Sequence, residues 1–218
     1  MHPGSESHVD YFRTIALPPA RIRTSVAVPL QISAGEYVPS TMVTFDGLVD
    51  GLEHLAVTFG DALDQTRPLV RIHSECLTGD VFGSARCDCR AQLQESLAIM
   101  YRAGGILLYL RQEGRGIGLY NKMAAYRLQE SGMDTFEANR ALNFADDLRD
   151  YAVAAQMLIG LGVRRIELLS NNPKKAERLE QCGIAVVRQR RTAVHVTDAN
   201  RNYLRAKVKY AGHLFRVD

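Results

Sequence analysis

The sequence has no apolar run of roughly 18 residues, the length a helix needs to cross a bilayer, so no membrane span is expected. It lacks a basic start followed by an apolar core: Met1-His2-Pro3-Gly4-Ser5-Glu6-Ser7-His8 does not read as a secretory signal. There is no internal repeat and no low-complexity tract, and the absence of tryptophan excludes nothing. A large excess of charge of one sign is also lacking. A net charge of +3 suits an anionic small molecule as well as it suits nucleic acid. Only four cysteines are present, and with no secretory start they point to a reducing cytoplasm and to metal rather than disulfides. At 218 residues the chain can bury a real core in one large or two small domains.

Residues 1–24 read as a polar, proline-containing, flexible lead-in, and residues 25–218 as a single domain. Short runs such as Val26-Ala27-Val28, Met42-Val43-Thr44-Phe45 and Leu55-Ala56-Val57-Thr58-Phe59, punctuated by Gly, Asp and Pro, predict antiparallel strands. Leu69-Val70-Arg71-Ile72-His73 is a further strand. The period then changes. Helices are expected over 92–103, 117–131 and 150–161, each ended by a glycine, with buried strands at 106–110 and 165–169 and a further strand at 184–187. Asn172-Pro173 opens another helix, as N-cap and first helical residue, and 198–212 reads as a terminal helix. The fold class is therefore mixed α/β, a β-rich N-terminal part packed with an α/β layer.

Three cysteines fall in one window, Cys76-x10-Cys87-x-Cys89, directly after Arg71-Ile72-His73-Ser74-Glu75. A structural zinc site closes with four protein ligands, whereas a catalytic one keeps a position for water. Three clustered thiols thus suggest a zinc hydrolase. Buried reduced cysteines are the plainer alternative, but Cys87-Asp88-Cys89-Arg90 is set among polar residues, which make a poor core. His73 is a candidate fourth ligand that would make the zinc structural; Glu75 is a candidate base or orienter for water.

Two strand-to-helix turns are candidate anion sites. Arg111-Gln112-Glu113-Gly114-Arg115-Gly116-Ile117-Gly118 offers backbone N–H groups and guanidinium forks that match phosphate oxygens. Ser170-Asn171-Asn172-Pro173-Lys174-Lys175 places a hydroxyl, two amides and two lysines at a helix N-terminus. Each alone could be a plain turn with solvated charges. Two on one sheet are more persuasive, because ligands of α/β sheets gather at strand C-terminal ends. Asp146-Asp147-Leu148-Arg149-Asp150 reads either as an acidic helix start or as a base beside a reactive guanidinium.

Taken together, Arg71 to Asp80, Arg86-Cys87-Asp88-Cys89, Arg111 to Leu119, Asp134-Thr135-Phe136-Glu137-Ala138-Asn139 and Ser170 to Lys175 resemble the motif series of GTP cyclohydrolase II, in its order and spacing, from about residue 40 to 187. The resemblance implies an enzyme of that fold that opens the guanine imidazole ring of GTP. Formate and pyrophosphate leave, giving 2,5-diamino-6-ribosylamino-4(3H)-pyrimidinone 5′-phosphate, the first step toward riboflavin. It implies zinc on Cys76, Cys87 and Cys89, and GTP contacts from Arg71, Ile72, His73, Ser74, Glu75, Gln92, Glu113, Gly114, Arg115, Thr135, Ser170 and Lys175. Asp147 matches the proton acceptor, Arg149 the nucleophile proposed toward the α-phosphate, and Tyr126 the active-site tyrosine. Mg2+ accompanying the triphosphate and a homodimer are implied as well. For the guanine edge, Glu113 is the candidate by charge type.

The chain departs from the family pattern at Ser170, where threonine is common, at Arg90, where glycine is usual beside the zinc turn, and at Arg188-Gln189-Arg190-Arg191-Thr192-Ala193. It is too short to carry the synthase domain fused to some members. A paralogue stopping at a formylated intermediate is one alternative; a zinc-stabilised nucleic-acid-binding module using Arg188 to Arg191 is another, more remote. Nucleic acid is not an expected partner.

Overall fold

The computed structural model describes residues 14–211. The predicted antiparallel and parallel parts form one seven-stranded sheet, hydrogen-bonded without a break. Its antiparallel half runs β1 (Arg21–Ala27), β4 (Thr41–Asp46), β5 (Leu55–Thr58); its parallel half runs β7 (Ile106–Leu110), β6 (Leu69–Ser74), β8 (Arg165–Leu169), β9 (Ala185–Arg190). The halves join where β5 pairs antiparallel with β7, Ala56 facing Leu108. β1 begins at Arg21, inside the stretch read as a lead-in. A separate hairpin, β2 (Leu30–Ser33) with β3 (Glu36–Val38), lies between β1 and β4 in sequence.

The three inner strands of the parallel half, β7, β6 and β8, are covered on both faces, which is why they are largely apolar, whereas the edge strand β9 is mostly exposed. On one face, α2 (Cys89–Ala103) sets Leu93, Leu97 and Met100 against Leu69, Leu107 and Leu169. On the other, α5 (Ala152–Gly160) lies against Val70, Ile72, Ile106, Leu108 and Ile166. Seven consecutive residues of α5, Ala152 to Leu158, are buried, so this helix shows no polar stripe. Gly104 ends α2 in the left-handed conformation at φ 57°, one a side chain rarely adopts. α6 (Pro173–Gln181) starts as expected, with the Asn172 side chain accepting the Lys174 N–H.

β6 lies where the strand order reverses. The chain leaves it through α2 to β7 on one side, and later returns to place β8 on the other. A crevice forms beyond the carboxyl end of a strand so placed. Around that end gather α1 (Leu77–Asp80), a 3-10 turn at Glu113–Gly116, α3 (Leu119–Glu130), α4 (Thr135–Ala141) and α7 (Arg201–Ala211). α4 was not anticipated, although Asp134 and Glu137 form a reciprocal capping box that the sequence spells out. The acidic run 146–150 does not begin a helix; it is irregular chain, and the helix starts at Ala152. The expected terminal helix is present from Arg201; its expected end at Gly212 lies outside the described residues.

Candidate active site

Cys76 precedes α1, Cys87 lies in the following turn and Cys89 opens α2, so the short α1, the turn after it and the start of α2 bring the three thiols together. Their sulfurs all lie within 4.8 Å of one another, with Cys76 Sγ 3.7 Å from Cys87 Sγ. A tetrahedral zinc with Zn–S bonds of about 2.3 Å spaces its sulfurs about 3.8 Å apart, so this donor set fits zinc. Gly79 makes the approach possible. A Cβ on it would sit 2.7 Å from Cys87 Sγ and 3.1 Å from Cys76 Sγ.

Hydrogen bonds from Cys87 and Cys89, with the nearby charge of Lys122, hold the Cys76 thiol far below its ordinary range. The same bond to Cys76, with burial, pushes Cys87 up to about 11. Cys89 is pushed up for similar reasons. Crowding thus favours charge on one sulfur over the other two, and a bound cation would favour the thiolate form of all three.

His73 does not join the cluster. Its Nε2 lies 3.1 Å from both Asp80 oxygens, and its ring stacks on Tyr109. Asp80 also accepts from Tyr109 Oη at 2.9 Å and from the Cys76 N–H at 3.0 Å. Burial lowers the His73 pKa despite Asp80, which favours the neutral ring. Among the described residues no fourth His, Cys, Asp or Glu completes the set.

Beside the thiols, the buried Lys122 Nζ contacts Glu113 Oε1 at 2.8 Å, Thr78 Oγ1 at 2.9 Å and Cys76 Sγ at 3.2 Å. Glu113 is held on both oxygens: Oε2 accepts the Leu77 N–H at 2.7 Å, and Oε1 also accepts the Gly114 N–H. Tyr126, one helical turn after Lys122 on α3, places Oη 3.5 Å from Thr78 Oγ1. Burial raises its pKa, so it remains a protonated phenol at neutral pH.

The thiols open onto a cleft enclosing about 1210 Å³, its solvent-open part included. Seven lysines and arginines line it against two carboxylates, Glu75 and Glu113. On the floor, Arg71 donates to the Leu169 carbonyl and to Gln92, and Lys175 donates to the Ile72 carbonyl at 2.7 Å. Burial lowers the Lys175 pKa strongly, and the charges of Arg71 and Arg149 add to it. Arg149 forms a two-bond fork with Asp147, at 2.9 and 2.7 Å. Burial pushes the Asp147 carboxyl up, but its bonds to Arg149 outweigh that and hold it below the usual carboxylate range. Arg115 lies in a left-handed conformation at φ 62°, uncommon for a residue with a side chain, with its guanidinium over Phe136. Buried polar atoms without a protein partner converge here: Arg71 Nε, His73 Nδ1, Ser74 Oγ, Gln112 Oε1 and both terminal nitrogens of Arg115. Such atoms are costly unless a ligand or water satisfies them.

The GTP cyclohydrolase II family model matches residues 23–191. The chain belongs to that family. It is 51% identical over 197 residues to "GTP cyclohydrolase-2" of Psychromonas ingrahamii, covering 90% of this chain and 98% of that one. Against the Vibrio parahaemolyticus protein of the same name, identity is 54% over 192 residues, covering 87% and 96%. It is also 54% identical over 168 residues to "Riboflavin biosynthesis protein RibBA" of Bacillus velezensis, covering 76% of this chain but 42% of that longer one.

Of the family positions read from the sequence, Arg71, His73, Ser74, Glu75, the three cysteines and Gln92 line the cleft, as do Glu113, Gly114, Arg115, Tyr126, Thr135, Arg149, Ser170 and Lys175. Two stand apart. The Ile72 side chain alternates to the opposite face of β6 and is core, leaving only its carbonyl toward Lys175. Asp147 sits behind Arg149, against a neighbouring crevice. Glu113, the candidate for the guanine edge by charge type, is already engaged by the protein. Three of about four acceptor positions are taken by the protein, so the carboxylate has little left for a guanine edge.

Lys122, Asn139, Tyr203 and Lys207 also line the cleft of this cyclohydrolase and were missed. Three i, i+4 pairs carried the signal: Lys122 with Tyr126, Thr135 with Asn139, and Tyr203 with Lys207. Lys207 donates to the buried Asp88, between two of the thiols, and Asp88 in turn accepts from Gln92. Arg90, the departure beside the thiols, is exposed and lies over Gly83 rather than in the cleft. The departure at 188–193 does reach it. β9 continues to Arg190, and Thr192 exchanges hydrogen bonds with Asn171.

Proposed function

We propose that this protein hydrolyses GTP with zinc, opens the guanine imidazole ring, and releases formate and pyrophosphate to leave 2,5-diamino-6-ribosylamino-4(3H)-pyrimidinone 5′-phosphate, the first step toward riboflavin. The observation that carries this reading is one cleft with three zinc-compatible thiols at one end and buried cations along its walls. Cys76, Cys87 and Cys89 would hold the metal, which when bound supplies Lewis acidity for attack of water at neutral pH.

The chain's own residues do the rest. Arg71, Arg115 and Lys175 hold the triphosphate, with Mg2+ neutralising part of its charge. Arg149 faces the α-phosphate. A guanidinium must lose a proton before it can attack phosphorus, and Asp147 is the base already in contact with it. The Tyr126 phenol, protonated beside the thiols, moves a proton during removal of the formyl group. A homodimer in the cytoplasm belongs to the same proposal. β1, a seven-residue edge strand exposed throughout and carrying Ile22 and Val26, is the kind of edge an assembly covers. No helix among the described residues is long and apolar enough to cross a membrane.

The test is to incubate the protein with GTP, Zn2+ and Mg2+ and to follow formate, pyrophosphate and product mass. Equal formate and pyrophosphate are expected. Pyrophosphate and ring opening without formate would overturn the reading in favour of an enzyme that stops at a formylated intermediate. Cys87→Ser is expected to lower kcat by about 10³-fold or more while the circular dichroism is unchanged. Unfolding of that variant would instead indicate a structural metal.

A further inference from the structure

We propose that Lys122 is a positioning residue of the metal centre, its ammonium holding the Cys76 sulfur and the Glu113 carboxylate together and drawing electron density from that sulfur. The inference rests on the zinc reading of the three thiols and adds a residue to it.

A lysine ammonium has three N–H donors. Glu113 Oε1, Thr78 Oγ1 and Cys76 Sγ, at 2.8, 2.9 and 3.2 Å, account for all three. Nothing remains for a phosphate, so although Lys122 lines a cationic cleft it does not belong with Arg71 and Lys175. Its side chain is nearly inaccessible and cannot turn to solvent. A plain Lys–Glu ion pair would account for the first contact alone. The other two reach residues of the thiol turn, and the Glu113 carboxylate returns to the same turn through the Leu77 N–H. Lys122 therefore ties the 3-10 turn at Glu113–Gly116 to the segment that presents Cys76. The Cα–Cβ stem also packs close to that turn, since a Cβ on Gly114 would lie 3.2 Å from Lys122 Cβ.

A charged donor on a thiolate stabilises its lone pairs and makes the sulfur a weaker donor to a metal, which leaves the metal the stronger Lewis acid. Partners of this kind orient ligands, and their loss typically costs about 10–100-fold in metal affinity or activity.

The experiment uses the protein loaded with Co2+, whose sulfur-to-cobalt charge-transfer band reports the energy of the thiolate lone pairs. In Lys122→Met that band is expected to move to longer wavelength. The zinc-loaded variant is expected to lose about 10–100-fold in kcat with KM changed by no more than about twofold. An unshifted band with unchanged kcat would overturn the inference. If Lys122→Met fails to fold, Lys122→Gln, which keeps an amide donor for Glu113 but not the charge, is read in the same way. Absence of a thiolate-to-cobalt band in the unmodified protein would sink the zinc reading itself. A band present there but unmoved in the variant would sink only the role of Lys122.

Discussion

Gly79→Ala is expected to abolish stable zinc binding without disturbing the fold. Gly79 lies within α1 and is not among the positive-φ positions, so alanine suits its backbone and improves helix propensity by about 1 kcal/mol. The methyl group, however, would lie 2.7 Å from Cys87 Sγ, 3.0 Å from Cys89 Cβ and 3.1 Å from Cys76 Sγ, well inside ordinary contact distance. Of these, the half-buried Cys87 side chain has the most room to rotate away. Rotation would leave two thiols, fewer than either kind of zinc site uses. Chelator competition should then show zinc affinity reduced by about 100-fold or more, with kcat falling in parallel. The metal-free melting temperature should stay the same or rise. Stoichiometric zinc and ordinary turnover in this variant would show that the thiols do not act as a set.

Lys175→Met is expected to lower kcat/KM for GTP by about 10²–10³-fold, the usual consequence of removing one preorganised donor from developing or bound charge. The pH dependence carries a sign that can be checked. Burial, with the charges of Arg71 and Arg149, depresses the folded-state pKa of Lys175 well below its value in the unfolded chain. Relative to the unfolded chain, the folded protein thus shifts the balance toward the neutral amine. Its contribution to stability is full above the unfolded pKa of about 10.4 and is lost as pH falls through the depressed folded value. Across that window the ligand-free protein should become more stable as pH rises. A bound polyanion favours the charged amine, so pyrophosphate affinity should fall across the same window. Calorimetric titrations of pyrophosphate at several pH values, with and without Lys175→Met, would read this directly. A variant with the same pH dependence as the unmodified protein would remove Lys175 from the anion site.

Several elements were legible because their causes are local. The run Ile106 to Leu110 announces a doubly covered strand, and Asn172-Pro173 supplies both a cap and a first helical residue within two positions. The three cysteines announced a metal because few other arrangements of thiols make sense in a polar window. Other features turn on partners far along the chain. By sequence His73 is a candidate fourth ligand, whereas its pairing with Asp80 and stacking on Tyr109 hold it away from the thiols. Glu113 read as a free carboxylate for a base edge, yet the Leu77 N–H and Lys122 engage it. Lys122 and Lys207 sit on the helices expected at 117–131 and 198–212, and only packing shows that both are enclosed. Arg90, which looked close to the thiols in sequence, turns outward over Gly83.

By itself the sequence determined the residue types that can bind metal and phosphate, the strand and helix periods, and the turns that present each group, because capping, pleating and close ligand spacing act over a few residues. Tertiary structure alone decided which groups share a cleft. The order of β7, β6 and β8 carries the thiol turn, the 3-10 turn and the Ser170–Lys175 turn to one end of the sheet. Whether a charge there faces a ligand or is consumed by a neighbour depends on distances between segments that no local pattern encodes.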